Sequence, residues 1–555
     1  MPEPALRRER PLLCRAGSLA ILLAAGGLLF PPCPAAAQPD PGVHAITGAR
    51  LVTLAGGTIE SGTIVLRDGL IEALGSDVTP PPDAVVLDGN GLTVYPGFID
   101  AFSRAGIVLP QEREHAANLA SHRTSDYFDP GDRNLAKYLQ QGFTSALLVR
   151  DDAVFGGQAV LMNLMGDDAG AMTVQAPVMQ TLGYAMQRGY PGTLMAVVAY
   201  QRQTLIDAAY HDLLLNRYRR EPRGTPRPPT EPDLEALIPV ATGQAPLLAI
   251  VHTENDLKRL RDLGRDYGVQ YWIAGAQEAW RVPDLISSAG APVIVSLDYP
   301  GIERVTGYWF DRAFRHLDED ESEALDTRDE TAVHGNVAAV AATGVPLALG
   351  TGGMRDPGDF IDNLRLAIET GFSPAAALDA LTRTPAELFG VADILGTLEV
   401  GKIANLTVTG GGDIFSDSDA YIAHVFVDGR KRSFAKPRPR PSGSGGGPAG
   451  EWIIEINAEG MTVEMTLTLE IEGTEVTAIL LQEGEEMHLS GTFVDGVLSL
   501  QGSIPDESAA PITVNATIEG NEMRGTVGVA GMGEFSLTGE KNPGRGRGEG
   551  GPSHD

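Results

Sequence analysis

Apolar and polar positions follow three different periods along the chain. From Val43 to Tyr95, short strand-like runs (Arg50 to Leu54, Gly62 to Arg67, Leu70 to Leu74, Val85 to Leu87) are separated by Asp68-Gly69, Gly75-Ser76, Pro80-Pro81-Pro82 and Gly89-Asn90-Gly91. Those dipeptides suit tight reversals, so the segment predicts a small β unit. From Pro96 to about Asp393, continuous apolar runs alternate with helical patterns, as parallel strands buried on both faces require. The clearest strands are Phe143 to Val149, Leu247 to Val251, Gln270 to Ala274, Pro292 to Leu297 and Pro346 to Leu349. The clearest helices are Leu257 to Tyr267, Thr331 to Thr343, Phe360 to Thr370 and Pro374 to Thr382. Ser433 to Gly450 reads as a linker, stiff in Pro437-Arg-Pro-Arg-Pro441 and flexible in Ser442-Gly-Ser-Gly-Gly-Gly447. Beyond it Val463, Met465, Leu467, Leu469 and Ile471 alternate with Glu464, Thr466, Thr468 and Glu470, a period of two with one buried face. Turn signals at Glu472-Gly473, Glu483-Gly484, Asp495-Gly496 and Glu519-Gly520 then predict an antiparallel barrel or sandwich over 451–541. The Gly-rich stretch 542–555 lacks core-forming residues and is expected to be disordered.

The 555 residues, 43% of them hydrophobic, suffice for several globular domains. Four arginines before residue 17, an apolar run from Gly17 to Phe30 and Ala35-Ala36-Ala37 form a secretory signal over 1–37. The expectation is export, to the periplasm or the extracellular space, with no membrane span, since the run falls short of the roughly 20 residues a span needs. Both cysteines, Cys14 and Cys33, lie in this leader, so its removal leaves no disulfide and no thiolate ligand. It also leaves 38 basic and 71 acidic residues, a net charge of −33. Such a surface repels nucleic acid and anionic lipid.

The setting of Asp100 adds a family. A short apolar run follows Pro96-Gly97 and meets Asp100, which reads as a buried strand delivering side chains to a functional rim. This stretch resembles the first barrel strand of the amidohydrolase superfamily, commonly written Pro-Gly-(Leu/Phe)-Ile-Asp-x-His-x-His, whose histidines bind a divalent metal. Gly396 to Thr409 resembles the return of the superfamily's flanking β-sandwich, and Ala376 to Ala386 resembles its Ala-Leu-x-x-(Ala/Leu)-Thr-x-(Asn/Thr)-Pro-Ala segment. Gly156-Gly157 matches a glycine pair of imidazolonepropionase-like relatives and reads as a loop shaper, since no helix-opening Lys-Ser/Thr follows. The resemblance covers about 43–432. It implies a composite β-sandwich from 43–96 and 394–432, a TIM-type (β/α)8 barrel over 97–393, and metal-dependent hydrolysis of non-peptide carbon–nitrogen bonds as the family activity. The pattern looks most like ligand-poor members exported by some Gram-negative bacteria.

The site positions the resemblance implies are mostly vacated. The two strand-one histidines are replaced by Phe102 and Arg104, a phenyl ring without a lone pair and a guanidinium without an acceptor. The barrel's two lysines, Lys137 and Lys258, lie outside the strand-four region around Val174 to Thr181, which excludes a carbamate bridge there. His252, after Leu247-Leu-Ala-Ile-Val251, is the one surviving candidate ligand; Gly275 stands at the strand-six histidine and Gly352 at the strand-eight aspartate that serves as general base. His252 is read as a hydrogen-bonded barrel-mouth histidine or a metal ligand, and Arg104 as a salt-bridge residue or a carboxylate fork. Arg104, His252 and Glu254 are the candidate ligand-binding residues of the mouth. His115, His122, His211, His316 and His334 remain as recruits for a relocated centre, and the acidic run from Asp318 reads as a solvated insertion without calcium-loop spacing.

The expectation is therefore an impaired or non-catalytic homologue that expects no cofactor and binds a small molecule or an active amidohydrolase relative. The alternative is a working hydrolase of amides, lactams or cyclic ureas, with zinc or another divalent metal at a reduced site including His252. A third reading gives the function to 451–541 as a ligand-binding β-barrel.

Overall fold

The computed structural model describes residues 42–109, 117–299, 330–354 and 356–436, and in the C-terminal part 450–458, 461–472, 475–482, 485–494, 496–503, 511–519, 522–529 and 533–541. The leader, His115, His316, the acidic run from Asp318 to Asp329, most of the linker and the Gly-rich tail lie outside the described residues. The chain divides into two compact units, Met1–Lys436 and Pro437–Asp555.

In the first unit, β1 (Val43–Val52), β2 (Thr58–Arg67), β3 (Leu70–Gly75), β4 (Val85–Asp88) and β5 (Leu92–Pro96) form the opening sheet. The second layer runs through β6 (Phe98–Ser103), β7 (Phe143–Leu148), β8 (Gly157–Asn163), β9 (Thr173–Leu182), β10 (Leu247–Val251), β11 (Tyr271–Gly275), β12 (Val293–Ser296) and β13 (Leu347–Gly350), hydrogen-bonded in sequence order. The chain then returns to the first sheet as β14 (Leu406–Gly410), β15 (Tyr421–Val427) and β16 (Arg430–Ser433). β14 pairs antiparallel with β5, Leu406 opposite Pro96, so segments some 300 residues apart share one eight-stranded sheet branched at β1.

The barrel's two faces are both apolar. Inside lie Ile99, Leu147, Leu161, Ile250, Ala274 and Ile294, while the alternate residues pack outward under helices. That double burial explains the continuous apolar runs in the sequence. Shifts in the β6–β7 register between Phe98 and Ile99 and between Asp100 and Ser103 break strict alternation, and Phe102 joins the interior cluster. β13 and β6 meet through Gly352 N–H donating to the Phe102 carbonyl at 2.7 Å.

One strand departs from the all-parallel expectation. β8 runs antiparallel to both β7 and β9, whereas the other neighbours from β6 to β13 are parallel. Residues 149–156 and 164–172 connect it, and each is shorter than the dozen or so residues a parallel crossover needs. The helices flank these strands: α1 (Leu135–Gln140), α2 (Ala169–Met172), α3 (Leu194–Arg220), α4 (Pro232–Ala241), α5 (Glu254–Tyr267) and α6 (Pro283–Ala289), then, among the described residues, five helices of five to ten residues from Glu330 to Leu388. The expected helix Thr331 to Thr343 is broken into Glu330–His334 and Asn336–Ala342. The Asn336 side chain takes a bond from Trp280 N–H at 2.9 Å and donates to the Ala276 carbonyl at 2.9 Å.

The second unit is a closed eight-stranded antiparallel barrel from β17 (Gly450–Ala458) to β24 (Gly533–Lys541), each strand paired with its sequence neighbour and β24 back on β17. Trp452, Ile454, Leu467, Leu480, Leu500 and Leu537 point inward. Apolar-in and polar-out is the sense of a barrel with a packed interior facing water, opposite to that of a membrane barrel.

Candidate functional site

The mouth is built from the C-terminal ends of β6, β10, β11, β12 and β13. β6 contributes Asp100, fully buried, whose carboxylate accepts from Thr351 N–H at 2.9 Å, from the Thr351 hydroxyl at 2.5 Å and from Phe102 N–H at 3.3 Å. Burial outweighs these bonds, and the Asp100 pKa is pushed up to about 6. Its bonds tie the first strand to the residue after the last, a positioning role that needs no reactant.

Phe102 is fully buried against that same turn. A Cβ placed on Gly352 would lie 2.2 Å from Phe102 Cδ1 and 2.3 Å from Cε1, and one on Gly350 would lie 2.7 Å from Phe102 N. Any side chain at 352 therefore overlaps the ring. Phe102 and Gly352 form one packing arrangement: the phenyl group fills the volume that any side chain at 352 would occupy. Ser296 donates to the Gly352 carbonyl at 2.5 Å and fixes this turn from β12.

His252 and Gly275 form a second such pair. A Cβ on Gly275 would lie 2.7 Å from the Val251 carbonyl oxygen and 2.9 Å from His252 Nδ1, and Gly275 has φ +93°. The imidazole thus lies where a strand-six side chain would begin. Among the described residues its buried Nδ1 has no hydrogen-bond partner. Burial lowers the His252 pKa, opposed by Asp256 and Asp151 and reinforced by Arg104, so the ring is neutral near pH 7.

Arg104 is ion-paired to Asp151, with the guanidinium more than half exposed and the carboxylate mostly covered. Next to them Arg150 holds Asp152 through two bonds of 3.0 and 2.9 Å and lies 4.2 Å over the Tyr127 ring, whose hydroxyl meets His122 Nδ1 at 2.8 Å. The sequence reading missed Asp151, Ser296 and Thr351 as parts of the mouth; they are ordinary residues at strand ends, and only the closure of the sheet brings them together. Glu254, expected beside His252, starts α5: its carboxylate is engaged by Lys258, and its N–H donates to Glu278 at 2.9 Å.

Among the described residues the other histidines do not converge on a metal centre. His211 faces Glu235 at 3.5 Å, and His334 packs its ring on Tyr299 at 4.9 Å. Among the described residues no three His, Cys, Asp or Glu side chains come together in a group able to hold a metal. The residues in the expected ligand places do not fit an ion: a phenyl ring, two glycines, a guanidinium committed to Asp151, and a single imidazole, where a protein site needs about three ligands. Lys137 pairs with Asp356, and neither barrel lysine is on β9. Gly157 lets the chain pass His122, since a Cβ there would lie 2.7 Å from its carbonyl oxygen, and Gly156 lets it pass Arg150, whose carbonyl oxygen would lie 2.2 Å from a Cβ.

A cavity of about 370 Å³ lies away from the mouth, between 165–172 and the sheet loops at 68–70 and 428–430. Arg430 there pairs with Asp167 at 3.4 Å.

Residues 324–434 match the amidohydrolase family model. No curated protein matches the chain in sequence. Among solved structures, an amidohydrolase from Thermotoga maritima MSB8 is 19% identical, with 70% of this chain and 98% of that one covered and a TM-score of 0.57. A putative prolidase from Bifidobacterium longum (18% identity, 72% and 97% covered, TM-score 0.40) and a triazine hydrolase from Arthobacter aurescens (17%, 72% and 96%, 0.39) are more distant in shape. At these identities the first likeness speaks for the fold.

Proposed function

We propose that this amidohydrolase-superfamily chain is an exported, non-catalytic homologue whose barrel mouth serves as a binding surface. The observation that carries the reading is Phe102 filling the space over Gly352. A metal-dependent hydrolase needs several ligands, an activated water and a carboxylate beside it; here the nearest strand-end carboxylate, Asp100, is buried and fully engaged with Thr351 and Phe102. What the mouth offers instead is a neutral imidazole beside the Arg104–Asp151 ion pair, groups that recognise a small polar molecule or a partner's loop without transforming it. A companion role beside an active amidohydrolase relative fits that inventory.

One observation favours the alternative of a reduced hydrolase: the unpartnered Nδ1 of His252 is a free donor atom for a divalent ion such as zinc. The deciding experiment is the metal content of the full chain after exposure to zinc or manganese and dialysis. The expected result is no stoichiometric ion and no difference between the parent and His252→Ala. One or two ions per chain, lost with His252→Ala and accompanied by hydrolysis of an amide, lactam or cyclic urea, would overturn the proposal.

A further inference from the structure

α3 has two apolar faces, and only one is covered. Val197, Gln201, Thr204, Leu205, Ala208 and His211 are buried toward the body of the unit. On the opposite side Met195, Ile206, Tyr210 and Leu213 are 83%, 46%, 59% and 63% exposed. Residues 199, 203, 206, 210, 213, 217 and 220 follow each other at steps of four and three and are all exposed, so they share one helix face. That face is apolar in its middle and ends in Arg217 and Arg220. None of the nine residues from 212 to 220 is buried.

The charge beside this stripe opposes that of the protein. Residues 188–227 contain seven arginines against Asp207, Asp212 and Glu221, a local charge of +4 in a chain of −31. Arg217, Arg219, Arg220, Arg223 and Arg227 are exposed, and among the described residues none of the five is in an ion pair; Arg219 and Arg220 bond only to Asn216. At physiological salt, charges beyond about 8 Å are largely screened, so a surface touching this helix meets the arginines rather than the distant acids.

We infer that the outer face of α3 docks the protein on an anionic lipid surface. Apolar side chains enter the headgroup boundary while the arginines at the helix end meet lipid phosphates, and it is this pairing of two weak signals that gives stable peripheral binding. A helix stripe of about 25 residues presents roughly 400 Å², half of the ~800 Å² that each partner of a stable protein interface contributes. A bilayer has no such threshold, because insertion and phosphate contacts add residue by residue.

The test is co-sedimentation of the full chain with vesicles of phosphatidylcholine alone or mixed with phosphatidylglycerol. Binding is expected only with phosphatidylglycerol. Each arginine near an anionic surface is worth about five-fold in partitioning, so Arg217→Gln and Arg220→Gln, the two on the docking face, together should weaken it by about 25-fold. Ile206→Ser with Leu213→Ser, at exposed positions that spare the core, should weaken it by about ten-fold. Absence of binding by the parent chain, equal binding to both vesicles, or binding indifferent to both variants would overturn the inference. So would an arginine-dependent dimer of the chain in solution without vesicle binding.

Discussion

If Phe102 and Gly352 are one packing arrangement, their substitutions must be strongly non-additive. Gly352→Ala places a methyl carbon 2.2 to 2.5 Å from three ring atoms, where about 3.5 to 4.0 Å is the relaxed separation. The positive-φ residues do not include Gly352, so the clash is steric rather than a backbone effect. Overpacking of this kind costs about 1–3 kcal/mol. Phe102→Ala removes a fully buried ring from the barrel interior and costs about 3–5 kcal/mol. In the double variant the new methyl enters space the ring has left, so the clash disappears and the cavity shrinks. Its cost should be that of Phe102→Ala or slightly less, with a coupling of about 1–3 kcal/mol. The assay is chemical denaturation of the full chain, following the first unit's transition through its tryptophans with Trp452→Phe in the background to silence the second unit. Costs that add to within about 0.5 kcal/mol would mean that ring and glycine do not share space, and the account of the filled mouth would fail.

Two titrations should be separable by substitution. The Asp100 pKa, raised to about 6 from an ordinary 3.8, makes the folded state hold a proton the unfolded chain has released, so this group's contribution falls as pH rises from about 4 to about 6, by up to roughly 3 kcal/mol. His252, with a lowered pKa, works in the other direction: stability is lost as pH falls from 6.5 toward its folded value. Asp100→Asn, whose amide oxygen can still accept from Thr351, should therefore steepen the rise of stability between pH 4 and 6 in denaturant titrations; an unchanged slope would contradict the assignment. Arg104→Gln leaves Asp151 without its guanidinium and removes a positive charge near the imidazole, so His252 should titrate closer to 6.5 by NMR, while the exposed ion pair costs no more than about 1 kcal/mol. A His252 resonance that does not move would place Arg104 outside its field.

What the sequence determined by itself is whatever depends on local period and on which atoms a side chain owns. Runs such as Leu247 to Val251 and Val293 to Val295 are apolar at every position, and they lie buried on both faces of the barrel. The alternation from Val463 to Ile471 falls within one strand of a closed antiparallel barrel. Phe102 cannot donate to a metal in any fold. Other features escaped because their signals were mixed or non-local. α3 carries apolar residues on a buried face and on an exposed one, so no single stripe announces the helix. The reversal of β8 is legible only in the shortness of the connections on either side. Tertiary structure alone decided that residue 102 fills the place of a side chain at 352, that Asp100 is locked by Thr351, and that His252 lies over Gly275. Those contacts join strand ends up to 251 residues apart, and they exist only once the sheet has curled until its first and last strands meet, a geometry that no local pattern of side chains encodes.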